Sequence, residues 1–154
     1  MRSMLLGASL VLAIGAGCAC NAIAQVKPET LVDQRISAMR LQGKYLYPLI
    51  PMAQGRIPYD ANIVARNAGY LDVLIKLAWD GFDPSTKDVK SRALPEVYAD
   101  PAKYKAAIDN MYAEMSKFQA TVKTGNEANI KTAIVDLNKA CNSCHESFRQ
   151  KAQQ

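Results

Sequence analysis

One stretch in the second half of the chain carries an apolar repeat that strongly favours a helical bundle. Apolar side chains recur there at alternating intervals of four and three residues, at Tyr104, Ile108, Met111, Met115, Phe118 and Val122. Residues with this spacing form one seam along an α-helix, and the seam leaves water only when other helices cover it. The repeat therefore predicts a long helix whose seam lies in the core of a bundle.

Three further helices are predicted from their apolar periodicity and their end signals. The first begins at Pro28 and is stopped by Pro48 and Pro51. The second begins after the capping residue Asp60 and runs to about Trp79. Its apolar positions include Val64, Leu71, Leu74 and Leu77.

The last helix begins at Asn126, after a left-handed stop at Gly125, and carries apolar residues on one broad face. A long connection rich in glycine and proline separates the second and third helices. The chain has 154 residues, which is enough for one compact core. The predicted fold is an all-α, antiparallel four-helix bundle in a single domain.

The N-terminus has the order of features that is typical of a secretory signal peptide. A basic residue precedes an apolar run at 4–17, and small residues follow up to Ala24. We expect cleavage of 1–24 after about Ala24, which leaves the domain 25–154. The run is short for a membrane span, so an uncleaved anchor is the weaker alternative, as is a lipoprotein at Cys18.

The charge and hydropathy of the remaining chain do not indicate a nucleic-acid or a membrane partner. The formal charge is +5, and removal of Arg2 with the signal peptide gives 5 − 1 = +4. A mild positive excess is typical of a solvated surface and does not indicate nucleic-acid binding. After the signal region no apolar run approaches 18 residues, so no stable membrane insertion is expected.

Signal removal leaves two cysteines and one histidine, all within the motif "CNSCHESFR" at 141–149. On a helix, Cys141, Cys144 and His145 lie on one face, where one planar ligand can meet all three. The two thiols can add to the vinyl groups of haem while the imidazole binds the iron. The motif predicts one covalent haem c on the C-terminal helix, with His145 as the axial iron ligand.

Other uses of this motif each lack a component. A structural zinc site needs four protein ligands, and only three such cysteine and histidine groups remain. A thioredoxin-like pair belongs after a strand, and no strand pattern is present. A purely structural Cys-x-x-Cys remains an alternative, as does a haem-free helical bundle that binds a partner or a metal. Since the only histidine is assigned to iron, no conventional enzyme is predicted.

With this motif in the last helix of an exported helical chain, the sequence resembles cytochrome c′, the class II c-type cytochromes. The resemblance spans the mature region, from "KPE" at the first helix through "PYD" and "LPEVY" to "CNSCHESFR". It implies a periplasmic haem c protein that is commonly a homodimer packed through its first two helices. It also implies electron transfer and binding of nitric oxide or carbon monoxide at an iron that often has five ligands. The redox partner is not identified.

The resemblance also assigns roles around the haem. It places Arg35 near the haem propionates, where a guanidinium suits a carboxylate. Ile36 stands where some relatives have glutamine, so one propionate contact is missing or replaced. Thr86 is a weaker candidate for the same region, with a solvated loop residue as the alternative. Arg149 matches a basic residue on the proximal side, although a cation also suits a helix C-terminus.

Met39 falls at the first-helix position that faces the distal side of the haem in this family. A methionine there is either core packing or a sixth ligand that gives a low-spin electron carrier. The connection that contains Trp79 and Phe82 resembles the high-spin branch of the family. We therefore expect a five-coordinate, high-spin iron with Met39 packed over it, and the alternative is a low-spin iron held by Met39 and His145.

Overall fold

The computed structural model describes residues 26–151, and the expected signal peptide at 1–24 lies outside them. Four long helices and two short ones form the described chain. They are α1 (Pro28–Leu46), α2 (Leu49–Ala53), α3 (Ala61–Leu77), α4 (Glu96–Ala99), α5 (Pro101–Lys123) and α6 (Glu127–Phe148).

The helix starts predicted from capping residues are confirmed. The Asp60 carboxylate accepts hydrogen bonds from the backbone N–H groups of Asn62 and Ile63, at 2.9 and 3.0 Å, and so caps α3. The side chain of Asn126 accepts the N–H of Asn129 at 3.0 Å and caps α6. Gly125, with φ +69°, makes the left-handed turn that separates α5 from α6.

Of the two prolines predicted to end the first helix, only Pro48 does so. α1 ends at Leu46, just before Pro48, whereas Pro51 lies inside α2. Pro51 is tolerated there because backbone N–H groups in the first turn of a helix have no helical acceptor. The second long helix ends at Leu77, and the chain continues as a 3₁₀ helix over Trp79–Phe82.

The long helices pack as α1 with α3, α3 with α5, and α5 with α6, while α1 and α6 make few direct contacts. The core lies among the paired helices, and its largest fully buried apolar side chains are Leu49, Val64, Leu71, Ile75, Phe118, Ile134 and Leu137. This arrangement confirms the all-α, antiparallel four-helix bundle. No helix within 26–151 has the length and apolarity to cross a membrane.

Two apolar residues of the predicted helices lie outside the fully buried core. Leu77 is 55% exposed, because the buried face of α3 continues through Ile75 to Ala78 instead. Ile108 is only half-buried, and the fully buried part of α5 begins one turn later at Met111. Tyr104 and Val122 of the predicted α5 seam are likewise only half-buried, whereas Met111, Met115 and Phe118 are buried as expected.

A matched pair of isoleucine truncations tests this boundary of the core. Ile134→Ala removes a fully buried side chain and should lower the free energy of unfolding by about 2 to 5 kcal/mol. Ile108→Ala removes a half-buried one and should cost well under half as much. Chemical denaturation of the holoprotein measures both, and equal losses would show that the core extends to Ile108.

Candidate functional site

A cavity of about 490 Å³ lies between α1 and α6, where these helices separate. Its walls come from α1, α5, α6 and the crossover at 78–100 that joins α3 to α5. Six of the eight side chains predicted to form the site line this cavity, namely Arg35, Ile36, Met39, Cys144, His145 and Arg149. The other two predicted residues, Cys141 and Thr86, lie just outside its lining.

The two cysteines of the motif have different surroundings. Cys144 lines the cavity, whereas Cys141 lies one turn earlier against the core, with its Sγ 4.0 Å from Met111 Sδ. The two thiols are free and not joined as a disulfide. Burial raises the pKa of Cys141 to about 11 and also raises the pKa of Cys144. Both sulfurs are therefore protonated thiols near neutral pH.

His145 is the next residue after Cys144 on α6, and it also lines the cavity. Burial lowers its pKa to about 4, and the nearby cations Arg149 and Arg92 act in the same direction. The imidazole is therefore neutral at pH 7. A neutral imidazole keeps the lone pair that a metal ligand needs.

Arg35 is 3% exposed and connects α1 to the crossover. Its Nη1 donates to the Gly81 carbonyl at 2.6 Å and its Nη2 to Ser91 Oγ at 2.7 Å. A further donation reaches Tyr98 OH at 3.2 Å, and the guanidinium carbon lies 4.3 Å from the centre of the Phe82 ring. All of these partners are neutral, and no ion pair within the described chain includes Arg35.

Thr86 is 1% exposed, which rules out the alternative of a solvated loop residue. Its hydroxyl donates to the Asp83 carbonyl at 2.7 Å and shares a 2.8 Å hydrogen bond with Tyr98 OH. Its Oγ1 also lies 3.4 Å from Arg35 Nη1. Thr86 therefore supports the guanidinium from behind and does not face the cavity.

Arg149 caps the C-terminus of α6 in an extended conformation, with φ −126° and ψ 129°. Its backbone N–H donates to the His145 carbonyl at 3.0 Å, while its exposed side chain reaches the cavity. Both features suggested by the sequence occur together, because the same guanidinium stands at a helix C-terminus and beside the motif.

The crossover is held against the end of α6 by a short pairing that the sequence did not reveal. Ala93 and Arg149 form an antiparallel bridge, and Gln150 N–H donates to the Arg92 carbonyl at 2.8 Å. The Arg92 side chain donates to the Gln150 carbonyl through Nε at 3.1 Å and Nη2 at 2.6 Å. This pairing brings Arg92 to the cavity beside His145.

Aromatic rings form much of the remaining wall. Tyr104 packs edge-on against Phe148 at 5.3 Å and Trp79 at 6.5 Å between ring centres, and it lies 5.3 Å from Phe82. Trp79 Nε1 and Tyr104 OH are buried and have no hydrogen-bond partner within the described chain. Tyr104 was expected only as a core residue, although its polar hydroxyl could have indicated a site.

These features fit a large, flat, partly anionic group. Among residues 26–151, four arginines line the cavity, at Arg35, Arg40, Arg92 and Arg149, and no carboxylate side chain does. Burying a guanidinium without a counter-charge costs several kcal/mol, and unsatisfied buried N–H and O–H groups add to that cost. Carboxylates of a bound group would offset this cost, and the free thiols and neutral imidazole on α6 suit attachment and iron ligation.

The described residues contain no cluster of three or more His, Cys, Asp or Glu side chains that could hold a metal ion. The geometry therefore gives no support to the zinc alternative. A helical bundle with a Cys-x-x-Cys-His motif beside a cavity of this kind defines the class of c-type haem proteins.

Comparisons with known proteins give the family. The family model described as cytochrome C′ matches residues 30–149. Cytochrome c′ of Rubrivivax gelatinosus is 37% identical over 126 residues, which cover 81% of this chain and 98% of that protein. The chain belongs to the cytochrome c′ family of c-type cytochromes. The expected covalent haem c is thereby confirmed, and the haem-free alternative is not compatible with this membership.

Solved structures agree with this assignment. The crystal structure of Rubrivivax gelatinosus cytochrome c′ matches with a TM-score of 0.77 and 36% identity, over 80% of this chain and 98% of that one. A ferrous variant of Alcaligenes xylosoxidans cytochrome c′ with bound nitric oxide matches at 0.77 and 29% identity, covering 83% and 99%. A carbon monoxide complex of a variant of the same protein matches at 0.76 and 30% identity, covering 82% and 98%.

Gly81 is required for the close approach of the crossover to Arg35. A Cβ at this position would lie 2.5 Å from Arg35 Cβ and 2.6 Å from the Leu31 carbonyl oxygen. Gly81→Ala should therefore force the crossover away from α1 and lower the free energy of unfolding by about 1 to 3 kcal/mol.

Gly69 on α3 provides the matched control, since a Cβ there meets nothing within 4 Å. Gly69→Ala should stabilise the helix by about 0.5 to 1 kcal/mol. Thermal or chemical denaturation of the two variants gives the comparison. A neutral Gly81→Ala would contradict the packing of the crossover described above.

Proposed function

We propose that residues 25–154 form one exported haem c domain that carries electrons and binds small uncharged gases at an iron with five ligands. Export with cleavage of 1–24 after about Ala24 would place this domain in the periplasm. The observation that carries the proposal is the cavity between α1 and α6, which has His145 on one wall and the apolar side chain of Met39 on another.

The residues of the motif have separate roles in this proposal. Cys141 and Cys144 would hold the haem through two thioether bonds, and the imidazole of His145 would bind its iron. Bound haem supplies a reversible one-electron couple and an open coordination position for a gas. The nearby cations favour the neutral form of His145, because they oppose its protonation.

Arg35 and its neighbours hold the end of the haem that carries the carboxylates. Arg35 neutralises haem carboxylate charge, and Thr86 keeps its guanidinium in place through the network with Tyr98. Ile36 contributes an apolar contact where some relatives have glutamine. Arg149 carries the positive charge on the proximal side.

Gas binding is supported by the chemistry of the wall and by the relatives. Ile36 and Met39 carry no hydrogen-bond donor, so the space beside them favours small uncharged molecules. Two related structures hold nitric oxide or carbon monoxide. The family comprises haem proteins of electron transfer and gas binding, and the sequence has no second histidine for acid–base catalysis. We propose no enzymatic turnover.

The alternative is a low-spin electron carrier in which Met39 is the sixth ligand. Met39 lines the same cavity as His145, so a thioether on the iron is a specific competitor of the five-coordinate site. The two arrangements differ in whether a gas can reach the iron without first displacing a protein ligand.

Optical spectra of the holoprotein distinguish these arrangements. We expect high-spin bands in the ferric form and ready binding of carbon monoxide in the ferrous form. Met39→Leu should leave the ferric bands unchanged, because it replaces one apolar side chain with another of similar volume. Low-spin bands that become high-spin in Met39→Leu would show that Met39 occupies the iron.

We also propose that the protein is a homodimer that packs through α1 and α3. Large apolar side chains are exposed on these two helices, at Leu41, Tyr70, Val73 and Leu77. Tyr70, Val73 and Leu77 recur at intervals of three and four residues on α3, so they form one stripe. Covering such a stripe by its copy would remove this apolar surface from water.

Val73→Glu tests the dimer, since it places a charge within the stripe. Analytical ultracentrifugation should show a dimer for the unaltered protein and a monomer for the variant. Ala120→Glu, at an exposed position of α5, adds the same charge elsewhere and should remain a dimer. A monomeric unaltered protein, or dissociation by both variants alike, would contradict the proposed interface.

A further inference from the structure

The opening of the cavity carries a concentration of positive charge that is separate from the buried Arg35. Arg40, Arg92 and Arg149 line the cavity and are also exposed to solvent. We refer to these three residues as the arginine rim. Since the same side chains touch both the cavity and the solvent, the cavity reaches the surface at this rim.

The charge of the arginine rim is not neutralised within the described chain. The ion pairs between side chains of 26–151 all use lysines, with partners three or four positions away on the same helix. None includes an arginine of the rim, and no carboxylate side chain of the described residues lines the cavity. Acidic residues thus balance lysines elsewhere on the surface, whereas the rim keeps its charge.

Bound haem would balance only part of this charge. The four lining arginines contribute +4, and the two carboxylates of one haem contribute −2, which leaves 4 − 2 = +2. Arg35 is buried, so it is placed to use much of the carboxylate charge. The excess therefore resides mainly on the exposed rim.

One side chain of the rim is held in place before any partner arrives. The two hydrogen bonds from Arg92 to the Gln150 carbonyl fix its guanidinium at the end of the crossover. A group that is already ordered loses less conformational entropy on binding. Guanidinium groups also form paired hydrogen bonds with carboxylates.

From these observations we propose that the arginine rim is the docking surface for an electron-transfer protein with an acidic face. The inference rests on the electron-transfer role proposed above. One electron would pass from the reduced centre of the partner to the ferric iron, with no bond formed or broken. Such encounters are small and transient, so charge complementarity would provide most of their orientation and speed.

The test measures how salt affects electron transfer to the holoprotein from reduced flavodoxin, an acidic flavoprotein used as the probe. At an ionic strength of about 10 mM the Debye length is about 30 Å, so steering is strong. The second-order rate constant should fall as salt is added. Arg40→Gln and Arg92→Gln should each lower it about three- to tenfold at low salt and reduce the slope of its logarithm against the square root of ionic strength.

Two controls separate local charge from other effects. Lys123→Gln removes the same unit charge at the far end of α5 and should change the slope little. Arg92→Lys keeps the positive charge but loses the paired hydrogen bonds to the Gln150 carbonyl. It should therefore retain most of the dependence of the rate constant on ionic strength. The slope is compared rather than the rate alone, because a variant can also change the driving force.

A second readout does not depend on electron transfer. Oxidised flavodoxin added to the ferrous carbon monoxide form of the holoprotein, which is diamagnetic, should shift the backbone amide resonances around Arg40, Arg92 and Arg149. Shifts confined to another face would overturn the proposal. It would also be overturned if Lys123→Gln lowered the slope as much as the rim variants, since net charge alone would then explain the salt effect.

The failure of this proposal can be told apart from failure of the proposed haem site. Loss of the rim effect with a normal high-spin spectrum and carbon monoxide binding would remove only the docking surface. Binding to phosphatidylserine vesicles, without amide shifts from flavodoxin, would also reject an acidic protein and indicate a lipid surface instead.

Discussion

The buried guanidinium of Arg35 is the interaction on which the arrangement of the site depends. It joins α1 to the crossover through the Gly81 carbonyl and the Ser91 hydroxyl. A buried charge of this kind costs several kcal/mol unless opposite charge is near, and its described partners are all neutral. The contact with the Phe82 ring recovers on the order of 2 kcal/mol, which is only part of that cost. In the proposed site, haem carboxylates would supply the missing negative charge, and binding of the haem would then stabilise the crossover.

The separation of α1 from α6 makes room for that group. These two helices make few direct contacts, while the other neighbouring long helices pack closely. The bundle therefore leaves one side open between the helix that carries Met39 and the helix that carries His145. The pairing of Ala93 with Arg149 then positions Arg92 and Arg149 beside the imidazole. The wide separation of α1 from α6 thus creates a cavity. Candidate haem ligands lie on its α6 wall, and arginines without a counter-charge surround it.

Much of the fold could be predicted because its signals are local. Asp60 and Asn126 cap helices through N–H groups two or three residues away, and Gly125 makes its turn alone. Which side of a helix is buried is harder to predict, because it depends on how distant helices pack against it. Leu77 and Ile108 have the apolar character of core residues, but Leu77 is 55% exposed and Ile108 is only half-buried, because burial depends on which face of each helix its neighbours cover.

The centre of the site could also be predicted, since Cys141, Cys144 and His145 are adjacent in sequence. The outer parts could not be predicted from spacing. Arg92 reaches the site only because it pairs with Gln150, 58 positions away. The roles of Tyr98 and Tyr104 likewise depend on the path of the crossover over α5 and α6. Interactions between distant segments of the chain therefore determine the surroundings of the motif.

Mass spectrometry of the peptide that contains Cys141 and Cys144 tests the central claim most directly. The claim is that this chain carries one haem, attached through both sulfurs in the cavity between α1 and α6. Protein produced with a haem-attachment system and then digested under denaturing conditions should yield this peptide with the added mass of one haem and no free thiol. A peptide with two free thiols or a disulfide, and without the haem mass, would contradict the account.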